Sequence, residues 1–311
     1  MHSGNISRER SEAVGSIPWE YLTASFTNMK QRVITGVFFT IAILAFIIPG
    51  YFSPYFISVL WALVALVVSR EMILCVQSKG MKPGQYLSYA GASFSILPVL
   101  ISLYSNSALL ALGTYSIAIL LLAMNTVIIM VLFQPGEKVF VDGIATSSIE
   151  LYISFPLACA NITALFIPHG WYFVVIGLFA PWISDVFAYF TGVLFGKHKI
   201  VPHISPKKTL EGCIGGAIGS AGVMVLFFWL FKDQFISPSM GITAYLVLAA
   251  LIGFILSIVS QLGDWMASAI KRWAGIKDFG RILPGHGGLL DRFDSAFFTL
   301  PVAFALALCF S

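Results

Sequence analysis

The sequence ITAYLVLAALIGFILSIVSQLG (residues 242–263) contains no charged residue, and it continues without proline into the polar segment DWMASAIKRW (264–273). A helix needs about 20 apolar residues to cross the hydrocarbon core of a bilayer. Residues 242–263 are therefore long enough to cross, and the charges that follow mark the place where the helix leaves the apolar layer. This stretch predicts a membrane-spanning helix whose polar end carries Asp264, Ser268, Lys271 and Arg272.

The composition extends this prediction to the whole chain. Of the 311 residues, 58% are hydrophobic and 10% are charged, whereas a soluble domain has about 25% charged residues. Polar groups cannot cover such a chain, so soluble classes are excluded. Nine apolar runs are candidate spans: roughly 33–49, 54–76, 86–104, 107–133, 144–166, 171–195, 212–231, 242–263 and 293–310. We expect an all-α, polytopic membrane helix bundle with about nine transmembrane helices.

The basic residues between the runs predict the orientation. Cytoplasmic loops carry an excess of Lys and Arg. A cytoplasmic N-terminus puts 16 of the 18 Lys and Arg residues inside and only Lys232 outside, with Arg70 in the second run and the C-terminus outside. We therefore predict an integral protein of the inner or plasma membrane. Its expected parts are a polar cytoplasmic tail (1–32), N-terminal transmembrane helices (33–170) and a C-terminal region (171–311) with cytoplasmic loops at 196–212 and 264–292.

Acidic residues border the second of these loops. Asp264 and Lys271 stand at i and i+7 of one helix, with Ser268 between them, so the three share a face. Asp291 and Asp294 are three residues apart and also face the same way. Carboxylates that lie close together repel unless a cation separates them, and oxygen ligands suit Mg²⁺, which usually binds with substrate phosphates. The alternative is that Asp264 only pairs with the basic residues that end its own helix.

Other segments have the character of a phosphate site. The glycine-rich turn PGHGG (284–288) allows close approach of backbone N–H groups to an anion. Lys207 and Lys208 precede a helix that is expected to begin near Thr209, and a helix N-terminus binds anions; the alternative is that both lysines only set the topology. Asp185 lies inside the sixth run, where an acid is a functional-site hypothesis by default, although it could instead pair with a nearby lysine.

The segment from Ser268 to Asp294 resembles the signature of the phosphatidate cytidylyltransferases, also called CDP-diacylglycerol synthases. That signature has S-x-x-K-R, K-D, H-G-G and D-R-x-D in this order, and every fixed position is filled. The stretches SDVFAYFTG (184–192) and SPKKTLEG (205–212) resemble two further stretches of the family. The resemblance covers residues 182–295, while the first 150 residues match only as membrane spans.

The resemblance implies transfer of CMP from CTP to phosphatidate, which gives CDP-diacylglycerol and pyrophosphate for phospholipid biosynthesis. It makes 171–311 the catalytic region and implies Mg²⁺ as cofactor, held by Asp264 and Asp291. The implied catalytic residues are Asp264, Lys271, Arg272, Asp291 and Asp294; the implied substrate-binding residues are Asp185, Lys207, Lys208, Ser268, Lys277, Asp278, His286, Gly287, Gly288 and Arg292. The expected partners are CTP, phosphatidate and membrane lipids, with a homodimer left open and no nucleic acid.

Other classes of membrane protein fit less well. A secondary transporter usually has polar residues near mid-span and an internal repeat, whereas the charges here lie at the inner ends of the runs. A purely structural scaffold would not need three acids beside five basic residues. The segment DGIATS at Asp142 begins like the motif of CDP-alcohol phosphotransferases but lacks its arginine and later acids.

Overall fold

The computed structural model describes residues 19–134, 136–235 and 241–310, with side chains from Gln31 onward. Helices form almost all of the secondary structure in these ranges, apart from two isolated β-bridges. The helices are α1 (Trp19–Phe52), α2 (Tyr55–Gln77), α3 (Gln85–Ser93), α4 (Leu97–Ser102), α5 (Ala108–Phe133), α6 (Val139–Phe166), α7 (Gly170–Phe195), α8 (Leu210–Leu230), α9 (Lys232–Phe235), α10 (Ile242–Ala274), α11 (Leu290–Phe293) and α12 (Ala296–Phe310).

Eight helical segments in the described ranges are long and apolar enough to cross a membrane. They are Gln31–Phe52, Tyr55–Gln77, Ala108–Phe133, Val139–Phe166, Gly170–Phe195, Leu210–Leu230, Ile242–Ala274 and Leu290–Phe310. The prediction of an all-α polytopic bundle is confirmed. The helix α1 already begins at Trp19, inside the predicted tail, and residues 1–18 lie outside the described ranges.

The prediction of one continuous helix over 86–104 is wrong. This run folds as α3, a 3₁₀ turn (Phe94–Ile96) and α4. The break is the 3₁₀ turn itself, and Pro98 follows it in the first turn of α4, where a proline needs no partner for its missing N–H. The segment still traverses the bundle beside α6, because Gly84 N–H donates to Thr146 (2.9 Å) at one end and Asn161 donates to the Ser95 carbonyl (2.8 Å) further along.

A row of polar residues on α6 supports this broken crossing. We call Asp142, Thr146, Glu150, Ser154 and Asn161 the α6 stripe; all five side chains are buried. Backbone groups that a helix leaves unpaired at membrane depth are tolerated only where protein satisfies them. The stripe supplies such partners, since Asp142 and Thr146 accept the N–H groups of Lys82 and Gly84 at the start of the segment.

The polar connections between helices share one end of the bundle. Ser78, after α2, donates to the carbonyl of Ala274 at the end of α10 (3.2 Å), and Lys82 bonds to Asp142 at the start of α6. The helix α10 extends to Ala274, where Gly275 caps it in the left-handed conformation (φ 74°). Residues 264–274 of the predicted loop are therefore helical. We call the remaining connection, residues 275–289, the signature loop.

Candidate active site

A cavity of about 610 Å³ opens between α7, α10 and the connection that precedes α8. Its polar lining consists of Asp185, Tyr189, Lys199, Ser205, Lys207, Lys208, Thr209, Gln261 and Asp264. Four predicted site residues from three separate segments therefore share one cavity. Its size suits a small-molecule ligand.

The Lys208 ammonium forms an ion pair with the Asp264 carboxylate inside this cavity. Both side chains are about three-quarters buried, with 25% and 24% of their surfaces exposed. Burial lowers the pKa of Lys208, and the charge of Asp185 opposes that shift. The alternative that Asp264 merely pairs with the basic end of its own helix is wrong, because its partner comes from the connection before α8.

Local hydrogen bonds shape that connection. The Thr209 side chain caps α8 by accepting the Gly212 N–H (3.2 Å), as predicted for a helix that begins near Thr209. Glu211 accepts the N–H groups of Lys197 and His198 and lies 2.6 Å from the His198 ring. These contacts fold the connection back on itself and hold Lys208 at the helix entrance.

Lys271 organises a second charged cluster at the end of α10. Its Nζ donates to Asp291 Oδ1 at 2.8 Å and lies 3.8 Å from Asp294 Oδ2. The ammonium also lies 5.2 Å from the centre of the Phe279 ring. Asp291 and Asp294 therefore do face the same way, and the cation between them is Lys271.

The Asp291 carboxylate also closes the signature loop. Its Oδ2 accepts the N–H groups of Phe279 (2.8 Å) and Gly288 (2.9 Å). Gly287 lies between them with φ +85°, a conformation that other residues rarely adopt. Asp291 thus joins both ends of the loop to Lys271.

Glu71 of α2 is a site-supporting residue to which the sequence assigned no role. Its carboxylate accepts the N–H groups of Leu289 (2.9 Å) and Leu290 (2.7 Å), and only 2% of the residue is exposed. A Cβ atom on Gly288 would lie 2.6 Å from Glu71 Oε1, and one on Gly280 would overlap it as well. Glu71 therefore anchors the signature loop against α2. An acid inside an apolar run was the only sequence signal.

The other predicted residues divide into two groups. Arg292 donates to the His286 carbonyl (2.9 Å), and Ser268 is buried on α10. Arg272 instead donates to the Ile276 carbonyl (3.2 Å) at the surface, and Lys277 and Asp278 are exposed. Of all the predicted site residues, only Asp185, Lys207, Lys208 and Asp264 line the 610 Å³ cavity.

Electrostatic interactions connect the cavity to the loop cluster. The charge of Asp185 interacts with those of Lys208 and Arg292, and Lys208 also interacts with Asp294 and Lys271. Among the described residues, no group of three or more His, Cys, Asp or Glu side chains is arranged to hold a metal ion. In these ranges the neighbours of Asp264 and Asp291 are lysines, which neutralise the carboxylates.

Known proteins resemble the chain over nearly its whole length. The model of the cytidylyltransferase family matches residues 30–310. The phosphatidate cytidylyltransferase of Staphylococcus haemolyticus is 32% identical over 88% of this chain and 97% of its own length. That of Bacillus subtilis is 31% identical over 91% of this chain and 99% of its own length.

A shorter match has higher identity. The phosphatidate cytidylyltransferase of Staphylococcus epidermidis is 44% identical over 43% of this chain and 48% of its own length. The full-length matches and the family model agree with the resemblance carried by the signature. The chain therefore belongs to the cytidylyltransferase family of enzymes.

Proposed function

We propose that this protein transfers CMP from CTP to phosphatidate and releases CDP-diacylglycerol and pyrophosphate. The observation that carries the proposal is the 610 Å³ cavity, in which Lys208 from one connection meets Asp264 from α10. The names of the full-length relatives supply the reaction, and the cavity supplies a place where cationic groups and carboxylates can hold a nucleotide triphosphate.

The reaction joins two anions, so charge neutralisation is the main task. An oxygen of the lipid phosphate forms a bond to the α-phosphorus of CTP, and the bond from that phosphorus to the bridging oxygen of pyrophosphate breaks. The lipid phosphate is already a nucleophile and needs no strong general base. The charges of Lys208, Lys271 and Arg292 interact with those of Asp185 and Asp294. These three cations can stabilise the negative charge that spreads over the phosphates in the transition state.

We propose that Mg²⁺ assists this chemistry and that Asp264 and Asp291 would hold it. The donor types suit a hard cation, because Ser205, Thr209 and Gln261 line the same cavity as Asp264 and carry oxygen atoms. A carboxylate has about four lone-pair sites, so Asp291 keeps capacity beyond its bonds to Lys271, Phe279 and Gly288. A bound Mg²⁺ would supply Lewis-acid neutralisation of phosphate charge.

The direct test uses the purified full-length protein in detergent. Phosphatidate is incubated separately with CTP, UTP, ATP and GTP in Mg²⁺, and pyrophosphate and lipid products are measured. We expect pyrophosphate and CDP-diacylglycerol in equal amounts with CTP and much less product with the other nucleotides. Chelation of Mg²⁺ should stop turnover. The absence of a CDP-lipid product with CTP would refute the proposed function.

We further propose that this site faces the cytoplasm. The support is the 16-to-1 distribution of Lys and Arg and the grouping of the polar connections at one end of the bundle. In a background without Cys213 and Cys309, cysteines at His203 and Ile282 should resist membrane-impermeant thiol reagents in intact cells and react in inverted vesicles. Both positions are exposed. Gly280 is unsuitable because a side chain there would overlap Glu71.

A cysteine at Asp233, beyond the far end of α8, is the matched control and should label from outside. All three residues lie in the described ranges and are exposed. Labelling of His203→Cys or Ile282→Cys in intact cells would contradict the orientation and would separate the cavity from cytoplasmic CTP.

A further inference from the structure

A second cavity, of about 440 Å³, lies where α1 passes the signature loop. We call it the α1 groove; its lining residues are Arg32, Val33, Gly36, Val37, Thr40 and His286. It is separate from the 610 Å³ cavity, with which it shares no lining residue. Only His286 among these residues belongs to the predicted site, so α1 is an addition to it.

Two glycines bring α1 and the loop into close contact. A Cβ atom on Gly36 would lie 3.6 Å from Cε1 and 3.7 Å from Nε2 of His286, so the ring lies against bare helix backbone. A Cβ atom on Gly285, whose φ is +77°, would lie 2.8 Å from Cγ of Arg32. The arrangement places the Arg32 and His286 side chains next to each other at the polar end of the groove.

The polar end of the groove carries positive charge. Arg32 is exposed, and no acid within the described ranges forms an ion pair with it. Burial, and then the charges of Arg292 and Arg32, lower the pKa of His286. Arg292 does not line the groove but donates to the His286 carbonyl behind it, and its buried Nε has no hydrogen-bond partner among the described residues. An exposed guanidinium without an acidic partner favours an anion.

The rest of the groove is apolar. Val33 and Val37, which are 62% and 55% exposed, follow Arg32 along α1 within the membrane-crossing segment Gln31–Phe52. An anion with an attached hydrocarbon chain fits this sequence of surfaces, whereas a nucleotide has no hydrocarbon to place there. We propose that the α1 groove binds the phosphate and adjoining hydrocarbon of the lipid substrate, an inference that rests on the proposed function.

Arg292 connects this groove to the nucleotide cavity. Its charge interacts with Asp185, which lines the 610 Å³ cavity, and its Nη2 donates to the His286 carbonyl at the groove. The lipid phosphate would thus approach the CTP α-phosphorus from the α1 side of the signature loop. The two substrates would enter from different faces, with one guanidinium between their phosphates.

The first test separates lipid binding from nucleotide binding. In mixed micelles, Arg32→Gln should raise the KM for phosphatidate about tenfold, the effect of a lost charge-assisted hydrogen bond, and should leave the KM for CTP unchanged. Arg32→Lys should recover part of the loss. Lys138→Gln, which removes an exposed cation just before α6 that does not line the groove, is the control and should behave as wild type. An unchanged phosphatidate KM in Arg32→Gln would refute the assignment.

The second test fills the apolar part. Val37→Trp should raise the KM for phosphatidate, because the larger ring occupies the space that the hydrocarbon needs. The matched control is Phe38→Trp, since Phe38 is 70% exposed and does not line the groove. Equal phosphatidate kinetics in the two tryptophan variants would contradict a hydrocarbon in the groove.

The third test measures binding without turnover. Short-chain phosphatidate, the matching diacylglycerol and inorganic phosphate are titrated into wild type and Arg32→Gln without CTP. We expect phosphatidate to bind best and to lose about tenfold in affinity in Arg32→Gln. Equal binding of inorganic phosphate would reduce the groove to an anion site and refute the lipid assignment. If phosphatidate binding depends on Arg32 but no CDP-diacylglycerol is made, the groove assignment is supported and the proposed function is refuted. If CDP-diacylglycerol is made but phosphatidate binding does not depend on Arg32, the proposed function is supported and the groove assignment is refuted.

Discussion

The α6 stripe and the charged residues beside α10 both include acids in apolar helices, but the partners of these acids differ. Glu150 accepts a hydrogen bond from the Thr126 hydroxyl (2.9 Å), and Asp142 accepts a backbone N–H. Beside α10, by contrast, Asp264 pairs with Lys208 in the cavity and Asp291 pairs with Lys271 at the helix end. An acid within a membrane helix therefore does not by itself indicate a catalytic site. An acid that faces a cation beside a cavity is a stronger indication.

The difference follows from what each region must satisfy. The broken crossing of α3 and α4 exposes backbone groups, and neutral hydrogen bonds are enough to pair them. A site for two phosphorylated substrates must hold groups of both signs, because cations bind the phosphates and carboxylates keep those cations and a metal in place. The comparison can be tested by removing one charge or one hydrogen bond from each region.

The largest expected effect is the loss of Asp264. Asp264→Asn keeps the shape of the side chain but removes its charge, and we expect kcat to fall about a hundredfold or more. Glu150→Gln is the same chemical change in the α6 stripe and should keep kcat within about twofold. Turnover of CTP by purified, folded variants measures both. If Asp264→Asn retained more than about a tenth of the activity, a loss under about 1.4 kcal/mol, Asp264 would not be a required ligand.

The two lysines before α8 should differ from each other. Lys208 is the partner of Asp264 and is largely buried, whereas Lys207 is exposed at the cavity edge. We expect Lys208→Gln to reduce kcat/KM for CTP by about tenfold or more and Lys207→Gln to reduce it only a few-fold. The Mg²⁺ concentration for half-maximal activity is measured alongside. Normal CTP kinetics in Lys208→Gln would remove this connection from the site.

Glu71 should have an intermediate effect, because it acts through the signature loop. The amide oxygen of Glu71→Gln is a weaker acceptor for the Leu289 and Leu290 N–H groups. We expect kcat to fall about tenfold with little change in either KM, and hydrogen exchange to accelerate in residues 275–289. Arg70→Gln, an exposed neighbour in the same helix, is the control. Unchanged exchange in Glu71→Gln would show that the loop does not depend on this anchor.

The sequence was sufficient to predict features that depend on local spacing. Apolar length predicted the helices, and the interval of three residues predicted that Asp291 and Asp294 face the same way, as their shared contact with Lys271 confirms. The helix start at Thr209 was predicted from the polar segment before an apolar run, and its side chain caps the helix there.

Partners that lie far apart in the chain could not be predicted in this way. Glu71 bonds to N–H groups 218 and 219 residues away, and spacing along one helix carries no information about such a contact. The ion pair of Asp264 with Lys208 likewise joins two segments, whereas spacing could only offer a partner on the same helix as an alternative. The 3₁₀ break at Phe94–Ile96 was missed because hydropathy reports apolar length and not backbone geometry.

The smallest expected effect belongs to Thr146, which tests whether the α6 stripe is structural only. Thr146→Val keeps the shape but removes the acceptor for the Gly84 N–H, so unfolding in detergent should become easier by about 1 kcal/mol while kcat stays within about twofold. Ser148→Ala is the control, because Ser148 is exposed and bonds only to Ile144 in its own helix (2.8 Å); it should change neither quantity. Denaturant titration and CTP turnover on the same preparations give both measurements. A tenfold fall in kcat without a change in unfolding would mean that the stripe takes part in catalysis. In that case, whether an acid's partner is charged or neutral would no longer distinguish the two regions.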